Sequence, residues 1–228
     1  MSEGRSPGTR RRERLRDARL YMAVERRPPG SRSLEQLLDA ALAGGVDMVQ
    51  LRDKEASDEE LLGAAEVFRR ACDRHGALFW LNDRPDLVEA AGADGVHVGQ
   101  HDMPAEEARA LVGPDVLIGL STHSPEQLEA ALRSDADELS VGPVYETPTK
   151  EGRPAAGLDY VRHAAQVAGP DRPWFAIGGI DLDNVGEVID AGARRIVVVR
   201  AIRDADDPRA AAAALRAALD RGAVGAEG

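Results

Sequence analysis

Residues 46–75 read VDMVQLRDKEASDEELLGAAEVFRRACDRH, and this stretch contains the unit from which we predict the fold. The apolar run at its start predicts a β-strand, and the pattern that follows predicts an α-helix at residues 58–75. Ser57 is suited to cap that helix, because its side-chain oxygen can accept a hydrogen bond from a free backbone N–H group. Gly76 follows the helix, where a left-handed residue is often needed.

The same strand–helix unit recurs along the whole chain. The predicted strands begin near Leu20, Val46, Ala77, Asp94, Val116, Asp137, Trp174 and Arg195. The predicted helices cover residues 33–43, 58–75, 85–91, 105–111, 125–133, 158–168, 182–191 and 208–221. Such pairs give parallel strands with right-handed crossovers, and at this length they close most naturally into an α/β fold, the (β/α)8 TIM barrel. A doubly wound open sheet is the alternative, because the pattern does not prove closure.

The limits of the repeating pattern predict one domain. No linker or break in composition interrupts residues 20–222, so we expect a single barrel there. Residues 1–19 carry seven arginines without an apolar segment, which predicts a disordered basic extension rather than a secretory signal. An anion-binding arm is the alternative, although three acidic residues weaken it. Residues 223–228 are expected to form a frayed tail.

Composition limits the classes of partner. Hydrophobic residues make up 43% of the 228 residues and charged residues 30%, which favours a packed core. The net charge of −11 argues against nucleic acid and anionic lipid as partners, so an anionic ligand needs a locally basic pocket. Cys72 is the only cysteine, which favours a cytoplasmic location, and no apolar run is long enough for a membrane span. A homo-oligomer is left open.

Lysine and threonine occur at selected positions. The chain has only two lysines, Lys54 and Lys150, against 27 arginines, and both follow a predicted strand. Arginine supplies positive charge elsewhere, so a lysine indicates a need for a compact ammonium group, with chance as the alternative. Three of the four threonines, Thr122, Thr147 and Thr149, also follow strands, although polar loops alone would give the same pattern.

The second strand predicts a cationic patch at the barrel mouth. Side chains alternate along a strand, so Gln50, Arg52 and Lys54 share one face, which we expect to point into the mouth. Two fixed cations there would be costly to desolvate without an anionic partner, and a phosphate-bearing ligand would supply it. An internal salt bridge to Asp83 or Asp102 is the alternative.

Two carboxylates follow consecutive strands. Asp83 ends the third strand and Asp102 follows the fourth, and together they suit Mg²⁺, which prefers carboxylate, water and phosphate oxygens. His97 and His101 would suggest zinc instead. We expect His97 to be a packed, hydrogen-bonded residue, because no further Cys or closely spaced His completes a tetrahedral site.

The later strands end in groups suited to hydrogen bonding and phosphate. Ser121 and His123 follow the fifth strand, but no G-x-S-x-G elbow or obvious orienting acid accompanies them. We therefore reject a hydrolase triad and interpret Ser121 as a hydrogen-bonding group of the pocket. After the seventh strand, Gly178 and Gly179 would let a phosphate approach backbone N–H groups.

The loop after the sixth strand predicts a lid. It contains Thr147, Thr149 and Lys150, which offer two hydroxyl groups and an ammonium group as hydrogen-bond donors. The loop continues through the glycine- and proline-containing residues 151–157. We expect this segment to be mobile and to contact an anion.

Seven motifs of this sequence occur together in the order of a known family. They are Gln50-x-Arg52-x-Lys54, Asn82-Asp83-Arg84, Gly95-Val96-His97-Val98-Gly99-Gln100-x-Asp102, Ser121-Thr122-His123, Gly142-Pro143-Val144-x-x-Thr147-x-Thr149-Lys150, Ile177-Gly178-Gly179-Ile180 and Val199-x-Ala201-Ile202. Each is weak alone, but their joint order and spacing resemble the thiamine-phosphate synthase family over roughly residues 20–218. The sequence departs from the family pattern at Glu25, His101 and Arg200.

The resemblance implies a transferase with two phosphorylated small-molecule substrates. It would join 4-amino-2-methyl-5-hydroxymethylpyrimidine diphosphate to hydroxyethylthiazole phosphate and release diphosphate, with Mg²⁺ as cofactor. The implied path is dissociative: a pyrimidine methyl cation forms, and the thiazole nitrogen then attacks it. Such a path needs fixed charges, exclusion of water and alignment of the reactants rather than a nucleophile.

The resemblance also implies a role for each site residue. The diphosphate would be held by Arg52, Lys54, Asn82 and Lys150, with Gln50 beside it. The metal ion would be held by Asp83 and Asp102, and the pyrimidine would be contacted by Ser121. The thiazole phosphate would be held by Thr147, Thr149, Gly179, Val199 and Arg200. Catalysis would depend on Arg52, Lys54, Lys150 and Ser121.

Two other functions are considered. A thiazole tautomerase of the same barrel family would use His123 as an acid/base group, but it has no evident need for the cations at Arg52 and Lys54. A non-catalytic sensor of a phosphate ligand is the other alternative, although the sequence shows no appended effector domain.

Overall fold

Eight parallel strands close into a barrel in the computed structural model, which describes residues 5–147, 154–169 and 172–224. The strands are β1 Leu20–Val24, β2 Met48–Leu51, β3 Leu78–Asn82, β4 Gly95–Val98, β5 Leu117–Thr122, β6 Glu138–Val141, β7 Trp174–Ile177 and β8 Ile196–Val198. Each strand pairs with its neighbours in sequence order, and β1 pairs with β8. The predicted TIM barrel is confirmed, and the open sheet that was its alternative is wrong.

Helices surround the barrel. They are α1 Pro7–Asp17, α2 Leu34–Ala43, α3 Asp58–His75, α4 Val88–Ala91, α5 Ala105–Val112, α6 Pro125–Ala131, α7 Gly157–Val167, α8 Val185–Asp190, α9 Arg200–Arg203 and α10 Pro208–Val224. Ser57 caps α3 as expected, since its side chain accepts a hydrogen bond from the backbone N–H of Glu60. Among the described residues, no helix combines the length and apolar character needed to cross a bilayer.

The first helix contradicts the expectation of a disordered extension at residues 1–19 for the described residues 5–19, and residues 1–4 lie outside the described part of the chain. Ser6 caps α1, its side chain accepting a hydrogen bond from the Thr9 N–H, and Pro7 occupies the first helical position. Leu15 and Ala18 are buried against residues of the barrel interior. The helix therefore closes the amino-terminal end of the barrel. At the other terminus, α10 extends beyond the predicted boundary at residue 222 to Val224, and residues 225–228 lie outside the described part of the chain.

The hydrophobic core has two layers. The outer layer lies between the strands and the surrounding helices, where the outward side chains of the sheet pack. The inner layer fills the barrel and consists of Leu15, Ala18, Tyr21, Met48, Leu78, Trp80, Leu117, Phe175 and Val197. The Tyr21 ring lies 6.1 Å from that of Trp80 and 5.8 Å from that of Phe175, measured between centroids. Large apolar side chains therefore fill the half of the barrel at the amino-terminal ends of the strands, and polar groups lie toward the carboxyl-terminal ends.

Three aspartates fasten neighbouring strands at the amino-terminal end of the barrel. Asp47, Asp94 and Asp137 directly precede β2, β4 and β6. Each carboxylate accepts a hydrogen bond from a backbone N–H group of the preceding strand. The donors are Leu20 to Asp47 at 3.0 Å, Phe79 to Asp94 at 3.0 Å and Ile118 to Asp137 at 2.9 Å. Each also pairs with an arginine of an outer helix: Arg216, Arg69 and Arg109, respectively. One carboxylate thus links two strands and a helix.

Asp94 is the most buried of these links, with 8% of its side chain exposed. Burial opposes its ionisation, but the Phe79 N–H and the guanidinium groups of Arg69 and Arg11 outweigh burial, so the pKa of Asp94 lies below its usual value. Because the pKa of this carboxyl group is lower in the folded than in the unfolded protein, its ionised form stabilises the fold. This contribution is complete above about pH 5 and is lost as the pH falls through the lowered pKa.

We expect Asp94→Asn to lower the free energy of unfolding by about 3 kcal/mol at pH 7, because it leaves the half-buried cations of Arg69 and Arg11 without their anion. Asp73→Asn is the matched control, since Asp73 also pairs with Arg69 at 2.9 Å but has a side chain that is 67% exposed. That change should cost less than about 1 kcal/mol. Urea unfolding at pH 7 measures both, and equal losses would contradict the assignment. The difference between wild type and Asp94→Asn should shrink below about pH 5.

Candidate functional site

A cation and a carboxylate meet at the carboxyl-terminal ends of β2 and β3. Lys54 Nζ lies 3.0 Å from Asp83 Oδ2, so the salt bridge considered as an alternative is present. The Lys54 side chain is 55% exposed, and an exposed pair of this kind is weak and can exchange for another anion. Arg52 lies nearby and lines a separate cavity of about 160 Å³ together with Glu25 and Arg203. Predicted residues of the cationic patch therefore reach the same end of the barrel.

Asp83 adopts an unusual backbone conformation. Its φ angle is +59°, and it is the one non-glycine residue with positive φ in the described ranges. Aspartate tolerates the left-handed region better than most residues, yet the conformation carries some strain. The Asp83 N–H donates to the His97 carbonyl at 2.9 Å, which ties the end of β3 to β4. This geometry holds the carboxylate beside Lys54, next to Asn82 at the end of the strand.

The second predicted metal ligand lies in the turn after the neighbouring strand. Asp102 Oδ2 accepts the backbone N–H of Gly99 at 2.8 Å, which fixes the carboxylate in that turn. Across residues 5–147, 154–169 and 172–224, no group of three or more His, Cys, Asp or Glu side chains is arranged to hold a metal ion. Asp83 and Asp102 each offer carboxylate oxygens, and these are the donor type that Mg²⁺ prefers beside water and phosphate oxygens.

A cavity of about 320 Å³ opens between the ends of β7 and β8. Its lining includes Thr147, Gly179, Val199 and Arg200, four of the five residues predicted to hold one phosphate. Gly179 has a φ angle of +67°, and a Cβ atom there would lie 2.8 Å from Tyr145 Cβ. The chain can therefore make this turn only with glycine. The exposed side chain of Arg200 adds a positive charge to the cavity wall.

Gln50 and Ser121 face the barrel interior rather than open solvent. The Gln50 side chain is buried, and its Nε2 donates to the Tyr21 hydroxyl oxygen at 2.6 Å. Burial raises the pKa of Tyr21 well above its usual value, and the charge of Glu138 raises it further. Ser121 is also buried, and its Oγ lies 2.9 Å from His97 Nε2. Both residues thus form the floor of the mouth.

His97 is packed and hydrogen-bonded, as expected. Its Nδ1 lies 3.0 Å from Glu138 Oε2, and its Nε2 contacts Ser121. Glu138 therefore reaches Ser121 through His97, a connection separate from the Ser121–His123 pair for which no orienting acid was predicted. Sequence reasoning treated Glu138 only as part of a strand. A glutamate at an inward position of a buried strand was the signal that could have identified it.

The remaining predicted residues divide into two groups. His123 lies at the rim, where its Nδ1 hydrogen-bonds to the carbonyl oxygen of Gly142 at 2.7 Å. Thr149 and Lys150 lie outside the described residues, and so does most of the predicted lid.

Comparisons with known proteins agree with this architecture. The sequence model of the thiamine monophosphate synthase family matches residues 20–202. Thiamine-phosphate synthase of Acidothermus cellulolyticus is 58% identical over 206 residues, covering 90% of this chain and 96% of that protein. The Mycobacterium tuberculosis protein of the same name is 55% identical over 217 residues, with the same two coverages of 90% and 96%.

Solved structures give the same result. Thiamine phosphate pyrophosphorylase from Pyrococcus furiosus superposes with a TM-score of 0.82 at 33% identity, covering 92% of this chain and 98% of that one. A 3-hexulose-6-phosphate synthase superposes with a TM-score of 0.63 at 20% identity, covering 88% and 99%, which shows the shared barrel fold alone.

We expect Gly179→Ala to weaken binding of inorganic phosphate about tenfold, because an L-residue in the left-handed region costs about 1–2 kcal/mol and the added Cβ meets Tyr145. Gly186→Ala is the matched control, since a Cβ atom at this position of α8 meets nothing within 4 Å. Titration calorimetry with phosphate compares the two variants with the wild type. Equal affinities for all three would show that phosphate does not use the cavity between β7 and β8.

Proposed function

The chain belongs to the thiamine monophosphate synthase family, and from this membership we propose the reaction that it catalyses. The enzyme, a transferase, joins 4-amino-2-methyl-5-hydroxymethylpyrimidine diphosphate to hydroxyethylthiazole phosphate. The products are thiamine phosphate and diphosphate. The observation that carries the proposal is that two regions suited to anions, one beside Lys54 and one between β7 and β8, lie at the same end of one barrel.

The leaving diphosphate binds at the ends of β2 and β3. Arg52 and Lys54 supply fixed positive charge there, with Asn82 and Gln50 beside them, and Lys150 joins them from the loop after β6. The Lys54 ammonium can donate to a diphosphate oxygen while it keeps its contact with Asp83, because it carries three N–H groups. These cations stabilise the negative charge that develops as the carbon–oxygen bond breaks.

Asp83 and Asp102 are the residues that hold Mg²⁺ in this proposal. The ion, when bound, neutralises part of the charge on the diphosphate oxygens. The chain contributes the placement of the two carboxylates: a strained backbone fixes Asp83, and a hydrogen bond from the Gly99 N–H fixes Asp102. An ion held by these residues would lie at the ends of β3 and β4, next to the cations proposed to bind the diphosphate.

The thiazole phosphate binds in the cavity between β7 and β8. Thr147 and Thr149 donate from their hydroxyl groups, and the backbone at Gly179, Val199 and Arg200 completes the site. A cavity of about 320 Å³ is large enough for a phosphate with part of its heterocycle. Anchoring the phosphate here directs the thiazole nitrogen toward the centre of the mouth, where the pyrimidine lies.

The chemical step is dissociative. The bond between the pyrimidine methylene carbon and the diphosphate oxygen breaks, and its electron pair leaves with diphosphate. The lone pair of the thiazole nitrogen then forms the new carbon–nitrogen bond. Ser121 contacts the pyrimidine from the floor of the mouth. No side chain acts as a nucleophile, so the work of the protein is to bind, to align and to exclude water.

A cytoplasmic location is part of the proposal, because Cys72 is the only cysteine and no disulfide within the chain can form. The thiol is buried, and burial raises the pKa of Cys72 to about 12, which keeps it protonated and unreactive.

The purified protein should release one diphosphate for each thiamine phosphate formed when both substrates and Mg²⁺ are present. Omission of either substrate, or chelation of the metal, should abolish release. Coupled detection of diphosphate and chromatography of the product measure the two yields. Isomerisation of a thiazole phosphate without diphosphate release would identify a tautomerase instead. Binding of the phosphates without turnover would identify a sensor.

We expect Lys54→Gln to lower kcat/KM for the pyrimidine diphosphate about a hundredfold, because it removes a charged donor from the leaving group. Arg70→Gln is the matched control: its side chain is also 55% exposed and also pairs with a carboxylate, but it lies on the outer helix α3. The control should keep kcat/KM within about twofold. Steady-state rates at saturating thiazole phosphate measure both, and an unchanged Lys54→Gln enzyme would remove this residue from the site.

A further inference from the structure

A buried chain of hydrogen bonds crosses the barrel interior below the mouth. Glu138 is fully buried, and each of its carboxyl oxygens has a partner: Oε2 contacts His97 Nδ1 at 3.0 Å, and Oε1 accepts from Ser140 Oγ at 3.0 Å. His97 Nε2 continues to Ser121 Oγ at 2.9 Å. We call Glu138, His97 and Ser121 the interior chain. A buried carboxylate is costly, and an apolar residue would fill this position at less cost to stability.

A glycine makes the interior chain possible. His97, Gly119 and Glu138 lie side by side on β4, β5 and β6, as the strand register pairs Gly119 with both others. A Cβ atom at Gly119 would overlap Glu138 Oε2 and His97 Nδ1. The glutamate therefore reaches the histidine across the intervening strand only because that strand carries no side chain there.

We assign the roles of the two ring nitrogens from their partners, taking Glu138 as a carboxylate. A carboxylate accepts hydrogen bonds, so His97 Nδ1 carries the proton that is donated to Glu138. In the neutral ring Nε2 is then an acceptor, and the Ser121 hydroxyl donates to it. With its proton directed to the ring, Ser121 Oγ can accept a hydrogen bond from a donor on its other side. The backbone at Ser121 is held as well, because its carbonyl accepts from Gln100 Nε2 at 2.7 Å.

We propose that Glu138 is a positioning residue that acts through His97 to present Ser121 Oγ as a hydrogen-bond acceptor to the exocyclic amine of the pyrimidine. This inference rests on the proposed function. As the carbon–oxygen bond to diphosphate breaks, positive charge spreads through the ring to that amine, and its N–H becomes a stronger donor. An acceptor that is already oriented binds the transition state more tightly than the ground state.

A double-mutant cycle tests whether Glu138 acts through Ser121. Glu138→Gln should lower kcat at least tenfold in the wild type but less than about twofold in the Ser121→Ala background, because its effect requires the serine hydroxyl. The KM for thiazole phosphate should not change. Equal fold-losses in the two backgrounds would mean that Glu138 supports only the structure, and would overturn the inference.

Thr122→Val is the matched control for the cycle. Thr122 is fully buried on the same strand, but it alternates to the opposite face, where it donates to the Ser140 carbonyl and accepts from Tyr160. Its loss of kcat, whatever its size, should be the same in both backgrounds. Coupling of Thr122→Val with Ser121→Ala as strong as that of Glu138→Gln would mean a general disturbance of β5, and would also overturn the inference.

A spectroscopic measurement on the unmodified enzyme decides the question if Glu138→Gln does not fold. Nitrogen-15 NMR of the histidine rings should find His97 as the neutral tautomer protonated at Nδ1. A ring protonated at Nε2 would overturn the inference, because Ser121 would then be turned to donate. A wild type that releases no diphosphate would overturn the proposed function together with this inference. An active wild type with an additive cycle would overturn this inference alone.

Discussion

The closed ring of eight parallel strands is the constraint on which the rest of the structure depends. Pairing of β1 with β8 leaves no free edge, and alternation along each strand then assigns every side chain to the interior or to the helices. Since all strands run in one direction, their carboxyl ends meet at one rim. The shared direction of the strands is therefore sufficient to bring residues far apart in sequence, such as Lys54 and Arg200, to the same end of the molecule.

The two ends of the barrel differ in how their charged groups are paired. At the amino-terminal end, Leu15 of α1 closes the interior, and aspartates such as Asp94 bind strands to helices through buried ion pairs. Those charges satisfy one another. At the opposite end, Lys54 and Asp83 form an exposed pair beside a strained backbone, and the β7–β8 cavity is lined by glycines, apolar side chains, Thr147 and the charged residues Asp181 and Arg200. Charges that are only loosely satisfied remain available to a ligand.

Sequence patterns predicted those features that depend on neighbouring residues. Strand and helix positions follow from local periodicity, and Gly179 follows from its place after the seventh strand, whereas Val199 was expected only from the family resemblance. The docking of α1 could not be predicted, because arginines dominate the segment and only Leu15 marks its buried side. The contact of Glu138 with His97 was also missed, since it depends on Gly119 in the strand between them, and such a three-strand register is visible only after the barrel is closed.

The interior chain shows why a resemblance between side-chain sets is a poor guide to mechanism. A serine, a histidine and an acid in hydrogen-bond sequence are the components of a nucleophilic triad, yet the dissociative transfer proposed above has no step that needs a nucleophile. The same three groups can instead serve orientation. The acid selects the tautomer of the histidine, and the histidine selects the direction of the hydroxyl. In a barrel whose lower half is filled by Tyr21, Trp80 and Phe175, an acid at full burial is best explained by such a task, because packing alone would favour an apolar residue.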